Sequence, residues 1–250
     1  MKTIRMICAF IFLASVFCYS VDEQFILMTT LYNEQREDRY REFLTCLEKN
    51  NQNALIKKII IIYEGCCEDF FYKKLNEVFF LSDKIFVQFI LARPQFSDFF
   101  LMADQFYKNE KIIICNADIY FDDTIAFLSR RYLRESFIAL TRWDVSCDGK
   151  YELKDRHLRT TTSQDSWCFI APIKSFFSSI PIGVLGCDPS IAYYAFKAGL
   201  KVLNPSKAVR SYHVHQSNIR TYIESDLPIY GNLEHYLPLK QIGISRNRRG

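Results

Sequence analysis

At 250 residues, with 49% hydrophobic and 24% charged side chains, the chain is long enough to bury a large core and fits a single α/β domain. A net charge of +4 excludes the dense basic surface that nucleic-acid binding needs, so no nucleic-acid partner is expected despite the small basic end Arg246-Asn247-Arg248-Arg249. The nine cysteines contain no C-x-x-C pair, which removes the spacing of a structural zinc site, and most are expected as buried apolar side chains with at most one bridge.

In chain order, Lys2 and Arg5 precede an apolar run over residues 6–17, and small Ser20 stands where a signal peptidase inspects. Residues 1–20 therefore read as a signal peptide or an N-terminal anchor, and the protein as exported or held at a membrane through residues 6–21. The run is shorter than the roughly 20 apolar residues that span a bilayer, which favours cleavage and a mature chain beginning near Val21. Residues 21–223 are the expected catalytic domain and 224–250 a tail.

Within the domain, residues 24–30 are apolar and β-prone, and a charged, helix-favouring stretch follows over 34–50. Residues 56–63, with four consecutive isoleucines, form the continuous apolar run of a parallel strand covered on both faces. A helix over 68–79, a strand over 84–91, a helix over 98–108 and a strand over 111–115 complete a strand–helix alternation. That alternation predicts a mostly parallel central sheet with helices on both faces. Beyond it the pattern loosens into a helix from about Thr124, a strand over 136–140, a polar loop through Arg159 and a strand over 167–171. Asp188-Pro189 opens a helix that Gly199 stops, and short strands are expected over 201–203 and 207–213.

Parallel sheets bind ligands beyond the carboxyl ends of their strands, so the residues there are the first site candidates. They are Thr30, Tyr32, Asn33 and Glu34 after the first strand, Glu64 after the second, Arg93 after the third, and Asn116 with Asp118 after the fourth. These turns carry neither G-x-G-x-x-G nor G-K-[ST], so neither a Rossmann dinucleotide site nor a P-loop is indicated.

Several segments in order resemble the glycosyltransferases of the GT-A fold, in particular the family 2-like enzymes. They are Thr30-Leu31-Tyr32-Asn33-Glu34, residues 93–100 and 115–122, Leu140-Thr141-Arg142-Trp143-Asp144, Gln164-Asp165-Ser166-Trp167, Gly186-Cys187-Asp188, and His213-x-His215. The resemblance implies a GT-A-like α/β fold and transfer of a sugar from a nucleotide-diphosphate donor to an acceptor hydroxyl. The acceptor, whether glycan, lipid or protein, is open. It also implies a divalent cation, Mn²⁺ or Mg²⁺, held by hard ligands beside the diphosphate. Asp118 fits the metal role. The usual motif is Asp-x-Asp, and its first member here is Asn116. His213 and His215, two apart on an expected strand, offer an imidazole ligand, His213 being the better placed. Arg93 and Arg142 can meet the donor's phosphates or nucleotide, Trp143 and Trp167 can stack on an acceptor sugar, and Asp165 can bind its hydroxyls. Asp188, expected as the N-cap of its helix, matches the general base, and inversion follows if one carboxylate deprotonates the acceptor. Two rivals stand beside this reading: a secreted carbohydrate- or nucleotide-sugar-binding protein without turnover, and a nucleotidyltransferase, whose usual Gly-rich phosphate loop is missing here.

Overall fold

The computed structural model describes residues 23–65, 82–174, 176, 179–217 and 237–244. The expected leader, the helix over 68–79 and most of the tail lie outside the described residues. The strands are β1 Phe25–Tyr32, β2 Ile56–Glu64, β3 Ile85–Ile90, β4 Lys111–Cys115, β5 Ile119–Phe121, β6 Ser136–Leu140, β7 Trp143–Val145, β8 Tyr151–Leu153, β9 Ser166–Ile170, β10 Lys201–Leu203 and β11 Ser211–His213. The α-helices are α1 Glu37–Gln52, α2 Phe96–Phe106, α3 Arg130–Leu133 and α4 Cys187–Lys197.

Seven strands form the central sheet in the order β10-β6-β9-β4-β1-β2-β3. All neighbours pair in parallel except β9, which runs antiparallel to both β4 and β6. Side-chain alternation splits the apolar runs between two core layers. Leu27, Ile59, Ile61, Ile113 and Cys115 face one layer, with Tyr40, Phe43, Leu44 and Leu47 of α1 packed there. Met28, Ile60, Ile62, Ile112 and Ile114 face the other, under Phe96, Phe99 and Ala103 of α2 and Ile191, Ala192 and Ala195 of α4. The helix pattern of each covering segment therefore matches a face that the sheet leaves apolar.

The second half departs from the sequence expectation in three places. Residues 119–121, 143–145 and 151–153 join β11 in a second sheet, β5-β11-β7-β8. The helix expected from Thr124 is a 3₁₀ turn, Asp123–Phe127, whose Thr124 N–H is accepted by Asp122 Oδ1 at 3.0 Å, followed by the short α3. The strand expected over 207–213 is confined to β11, because Ala208 and Val209 N–H both turn back to the Pro205 carbonyl. Of the tail, residues 237–244 run against the domain: Leu239 is buried and exchanges backbone hydrogen bonds with Thr161. The cysteines 46, 115, 168 and 187 are free and buried, as expected of apolar packing.

Candidate active site

β1 has β2 on one side and β4 on the other, so the strand order reverses between β1 and β4. A crevice opens at such a switch point, outside the carboxyl ends. It is lined from β1 by Thr30 and Tyr32, from the end of β2 by Glu64, from the turn after β4 by Asn116 and Asp118, and from β11 and the residues after it by His213 and His215. Because β9 is antiparallel, its entry rather than its exit lies on this edge, which brings Asp165 to the cleft beside Arg142 from the end of β6.

These side chains form one chain of alternating charge. Asn116 Nδ2 donates to Asp165 Oδ1 at 3.0 Å, and Arg142 Nη1 donates to Asp165 Oδ2 at 3.0 Å while its Nε reaches Asp144 Oδ1 at 2.8 Å. Asp144 Oδ1 meets His213 Nδ1 at 2.9 Å, and His213 Nε2 lies 3.1 Å from Asp118 Oδ2. That same oxygen accepts from Arg39 Nη2 at 2.5 Å, and Arg39 Nη1 continues to Glu42 Oε2 at 2.7 Å. Glu42 in turn accepts from the backbone and hydroxyl of Ser217.

The charges set the protonation states. Burial alone would raise the Asp118 pKa, but His213 and Arg39 outweigh it and hold the carboxyl well below the usual carboxylate range. For His213 burial works against protonation, yet Asp118 and Asp144 on its two nitrogens raise it to about 9. Asp144, against its own burial, is drawn down to about 2 by His213 and Arg142. His215 moves the other way: burial, Arg39 and His213 all push its pKa down and keep the ring neutral.

Three buried polar atoms on this network have no hydrogen-bond partner: Asp118 Oδ1, Asn116 Oδ1 and His215 Nε2. A buried carboxylate oxygen without a donor is costly, and a neutral imidazole nitrogen can present a lone pair. Ligand atoms of Asp118, His213 and His215 all fall within 4.8 Å of one another. The donor set therefore fits a divalent cation: one anionic oxygen and two imidazoles, of which His215 Nε2 has no partner, with the Asn116 amide oxygen on the same cleft wall.

Thus Thr30, Tyr32, Glu64, Arg93, Asn116, Asp118, Arg142, Asp165, His213 and His215 are brought together as the sequence suggested. Five candidates are not. Asn33 is exposed on the turn. Glu34 is buried and binds within that turn, accepting from Arg36 and from the Tyr32 hydroxyl. Trp143 donates its indole N–H to the Ser206 carbonyl at 2.8 Å and lies under Arg210, outside the cleft wall. Trp167 is fully buried, its ring edge-on to Phe96 at 4.7 Å, because that position on β9 points into the α2 layer; it cannot stack on an acceptor. Asp188 is not on the cleft wall. It sits in the first turn of α4 behind the true cap, Gly186, whose φ of 84° suits glycine, and it accepts from the Gln164 N–H at 3.2 Å and the Cys187 thiol at 3.1 Å. Burial and the neighbouring Asp165 push its pKa up to about 8.

Sequence reasoning missed Arg39, Phe43, Ile182 and Gly183, which also line the cleft. Arg39 lay in a charged stretch that reads as solvated. It shares a helix stripe with Phe43, four residues on, and that i, i+4 relation was the available signal.

Fold and crevice together define a GT-A-type α/β architecture. No protein-family model matches the chain, and no curated protein matches it in sequence. Solved structures match the fold at low identity. GalNAc-T7, solved with UDP, GalNAc and Mn²⁺, superposes with a TM-score of 0.52 at 13% identity over 79% of this chain and 45% of that one. TarS 1-349 of S. aureus, solved with UDP-GlcNAc, gives 0.50 at 10% identity over 77% and 59%. The 4-diphosphocytidyl-2C-methyl-D-erythritol synthase of Anaerococcus prevotii gives 0.50 at 14% identity over 85% and 98%. The chain thus spans only about half the length of GalNAc-T7 and TarS 1-349. The expected fold is borne out, with β9 as the one antiparallel strand of the main sheet.

Proposed function

We propose that the chain is a metal-dependent glycosyltransferase that moves a sugar from a nucleotide-diphosphate donor to an acceptor hydroxyl with inversion. The observation that carries this reading is the set of partnerless buried acceptors, Asp118 Oδ1, Asn116 Oδ1 and His215 Nε2, at the switch point of a GT-A-type sheet. Asp118, His213 and His215 would hold Mn²⁺ or Mg²⁺, which supplies positive charge beside the donor's two phosphates. Arg93 and Arg142 add fixed charge at the wall, while Thr30, Tyr32 and Glu64 line the nucleotide side. We assign the general base to Asp188, which lies behind the cleft wall and holds its proton at neutral pH, so the role requires that the acceptor reach it and that it be deprotonated, above about pH 8. Asp188 then takes the acceptor's hydroxyl proton, the freed oxygen bonds to the anomeric carbon from the face opposite the leaving group, and the bond to the nucleotide diphosphate breaks.

The test is a thermal-shift panel of nucleoside diphosphates and nucleotide sugars with and without Mn²⁺. A ligand at 100 times its Kd adds about 2.7 kcal/mol of stability, and Asp118→Ala should remove the metal-dependent part of that shift. Full metal-dependent stabilisation of the Asp118→Ala variant would place the metal elsewhere. A second reading, a nucleotide-sugar-binding protein without turnover, draws support from Asp188 lying off the cleft wall. Hydrolysis of a bound nucleotide sugar by the purified chain separates the two.

We further propose export through residues 1–20. Among the described residues no helix is long and apolar enough to cross a membrane, and the membrane association we propose is through residues 6–21. N-terminal sequencing after expression in a secretion-competent host should read from near Val21, and an intact Met1 in the membrane fraction would mark an anchor instead.

A further inference from the structure

Asn116 stands where the resembling enzymes carry the first Asp of their motif, and its surroundings explain the exchange. Its backbone N–H donates to the Asp165 carbonyl at 3.1 Å and its Nδ2 to Asp165 Oδ1 at 3.0 Å, so residues 116 and 165 are tied at two points across the β4–β9 ladder. A carboxylate at 116 would face the Asp165 carboxylate at hydrogen-bond distance, with Arg142 neutralising only one of the two. The amide removes that repulsion, donates to Asp165 and leaves its own oxygen, Asn116 Oδ1, buried without a partner and about 4.0 Å from where a Cβ on Gly183 would lie. Asp165 itself is 6% exposed and lines the cleft.

We propose that the carboxylate missing from position 116 is supplied in space by Asp165, which Asn116 and Arg142 hold at the cleft wall to receive a hydroxyl of the bound donor. Asp165 is then a donor-side residue rather than an acceptor-side one, and Asn116 is the positioning residue that orients it. The inference rests on the proposed nucleotide-sugar site. A carboxylate clamped by two donors is fixed in rotamer, and each of its oxygens keeps acceptor capacity for a ligand hydroxyl.

The experiment is a double-mutant cycle, Asn116→Asp, Asp165→Asn and the two together, read by melting temperature and by affinity for the UDP-, GDP-, CDP- or ADP-sugar that wild type binds with Mn²⁺. Asn116→Asp should melt earlier than wild type and the double variant should recover most of the loss, since the exchange restores one carboxylate opposite one amide. Asp165→Asn should weaken donor binding roughly ten- to hundredfold, the range expected for a hydrogen bond to a charged group, and the double variant should regain much of it. Comparing the bare nucleoside diphosphate with the nucleotide sugar tells a ribose hydroxyl from a sugar hydroxyl. If Asp165→Asn binds donor as wild type does, Asp165 is only structural and the proposal falls; if the double variant recovers melting temperature but not affinity, a carboxylate at 116 does not occupy the place of Asp165 and the proposed substitution in space falls. If wild type binds no member of the panel, the nucleotide-sugar reading fails and this inference with it.

Discussion

At the scale of single residues, the site is governed by how one carboxylate is neutralised. Asp118 Oδ2 serves both Arg39 and His213, while Oδ1 meets nothing. The guanidinium of Arg39 also bridges to Glu42 and lies over the Phe43 ring at 4.7 Å. Removing it leaves two mostly buried carboxylates facing each other across its vacated volume, a change that typically costs about 3–5 kcal/mol. Arg39→Met should therefore strongly destabilise the metal-free chain, and Mn²⁺ should restore part of the loss by taking over the positive charge beside Asp118. Urea denaturation with EDTA and with Mn²⁺ measures both. A variant that loses stability but gains nothing from Mn²⁺ would show that no cation reaches Asp118. Asp188 poses a different question. Its raised pKa means that it is mostly protonated at neutral pH, so a base role requires transfer to climb with pH through about 8. In a pH–rate profile, Asp188→Asn should lose nearly all transfer while still binding donor; activity within a few-fold of wild type would send the search for the base to Asp165 or Asp144.

At the scale of elements, the direction of β9 decides which residues can act. Running antiparallel between β4 and β6, it presents Asp165 to the cleft and sends Trp167 into the α2 layer. Trp167→Ala should cost about 3–5 kcal/mol, as for other buried aromatic truncations, with no selective loss of acceptor affinity at a temperature where the variant is folded. A selective rise in acceptor KM with unchanged stability would contradict the burial. The parallel strands β1, β2 and β4 were legible in the sequence because long apolar runs between helix-favouring stretches have few other uses. The orientation of β9 was not, since five consecutive buried or half-buried residues read alike in either direction. The small sheet was invisible for another reason: its strands are three residues each, too short for a periodicity to declare itself. Asp118 and the two histidines were legible as motif residues. Arg39 was hidden by its charged neighbours, and Glu34 misled because a polar residue after a strand serves a turn as readily as a ligand.

At the scale of the whole molecule, the network joins both halves of the chain, with Asp118 and His213 lying 95 positions apart and Glu42 and Ser217 175. Its protonation should therefore register in global stability. Asp118 and Asp144 have folded pKa values below the ordinary aspartate value of 3.8, so their stabilisation is present above that pH and is lost as pH falls further. His213 is raised from 6.5 to about 9: its contribution is complete below 6.5 and is lost as pH rises through 9. Asp188 is raised from 3.8 to about 8, so the folded chain holds a proton that the unfolded chain gives up, and stability falls as pH climbs from about 4 to 8. Above pH 6.5 the Asp188 and His213 contributions both fall with rising pH, whereas His215, whose folded pKa is depressed, favours the folded chain as pH rises to 6.5. The metal-free chain should therefore be most stable in mildly acid solution and should weaken from pH 6.5 to 9. Asp188→Asn should remove the fall that Asp188 contributes between about pH 4 and 8 while leaving the loss that belongs to His213. Urea midpoints in EDTA across pH 4 to 9 measure this for wild type and variant. A metal-free chain that grows more stable from pH 6 to 9 would rule out a protonated His213 between Asp118 and Asp144. Mn²⁺ should reverse the alkaline trend, since binding a cation requires His213 neutral and Asp118 ionised, so metal affinity gains as the proton leaves.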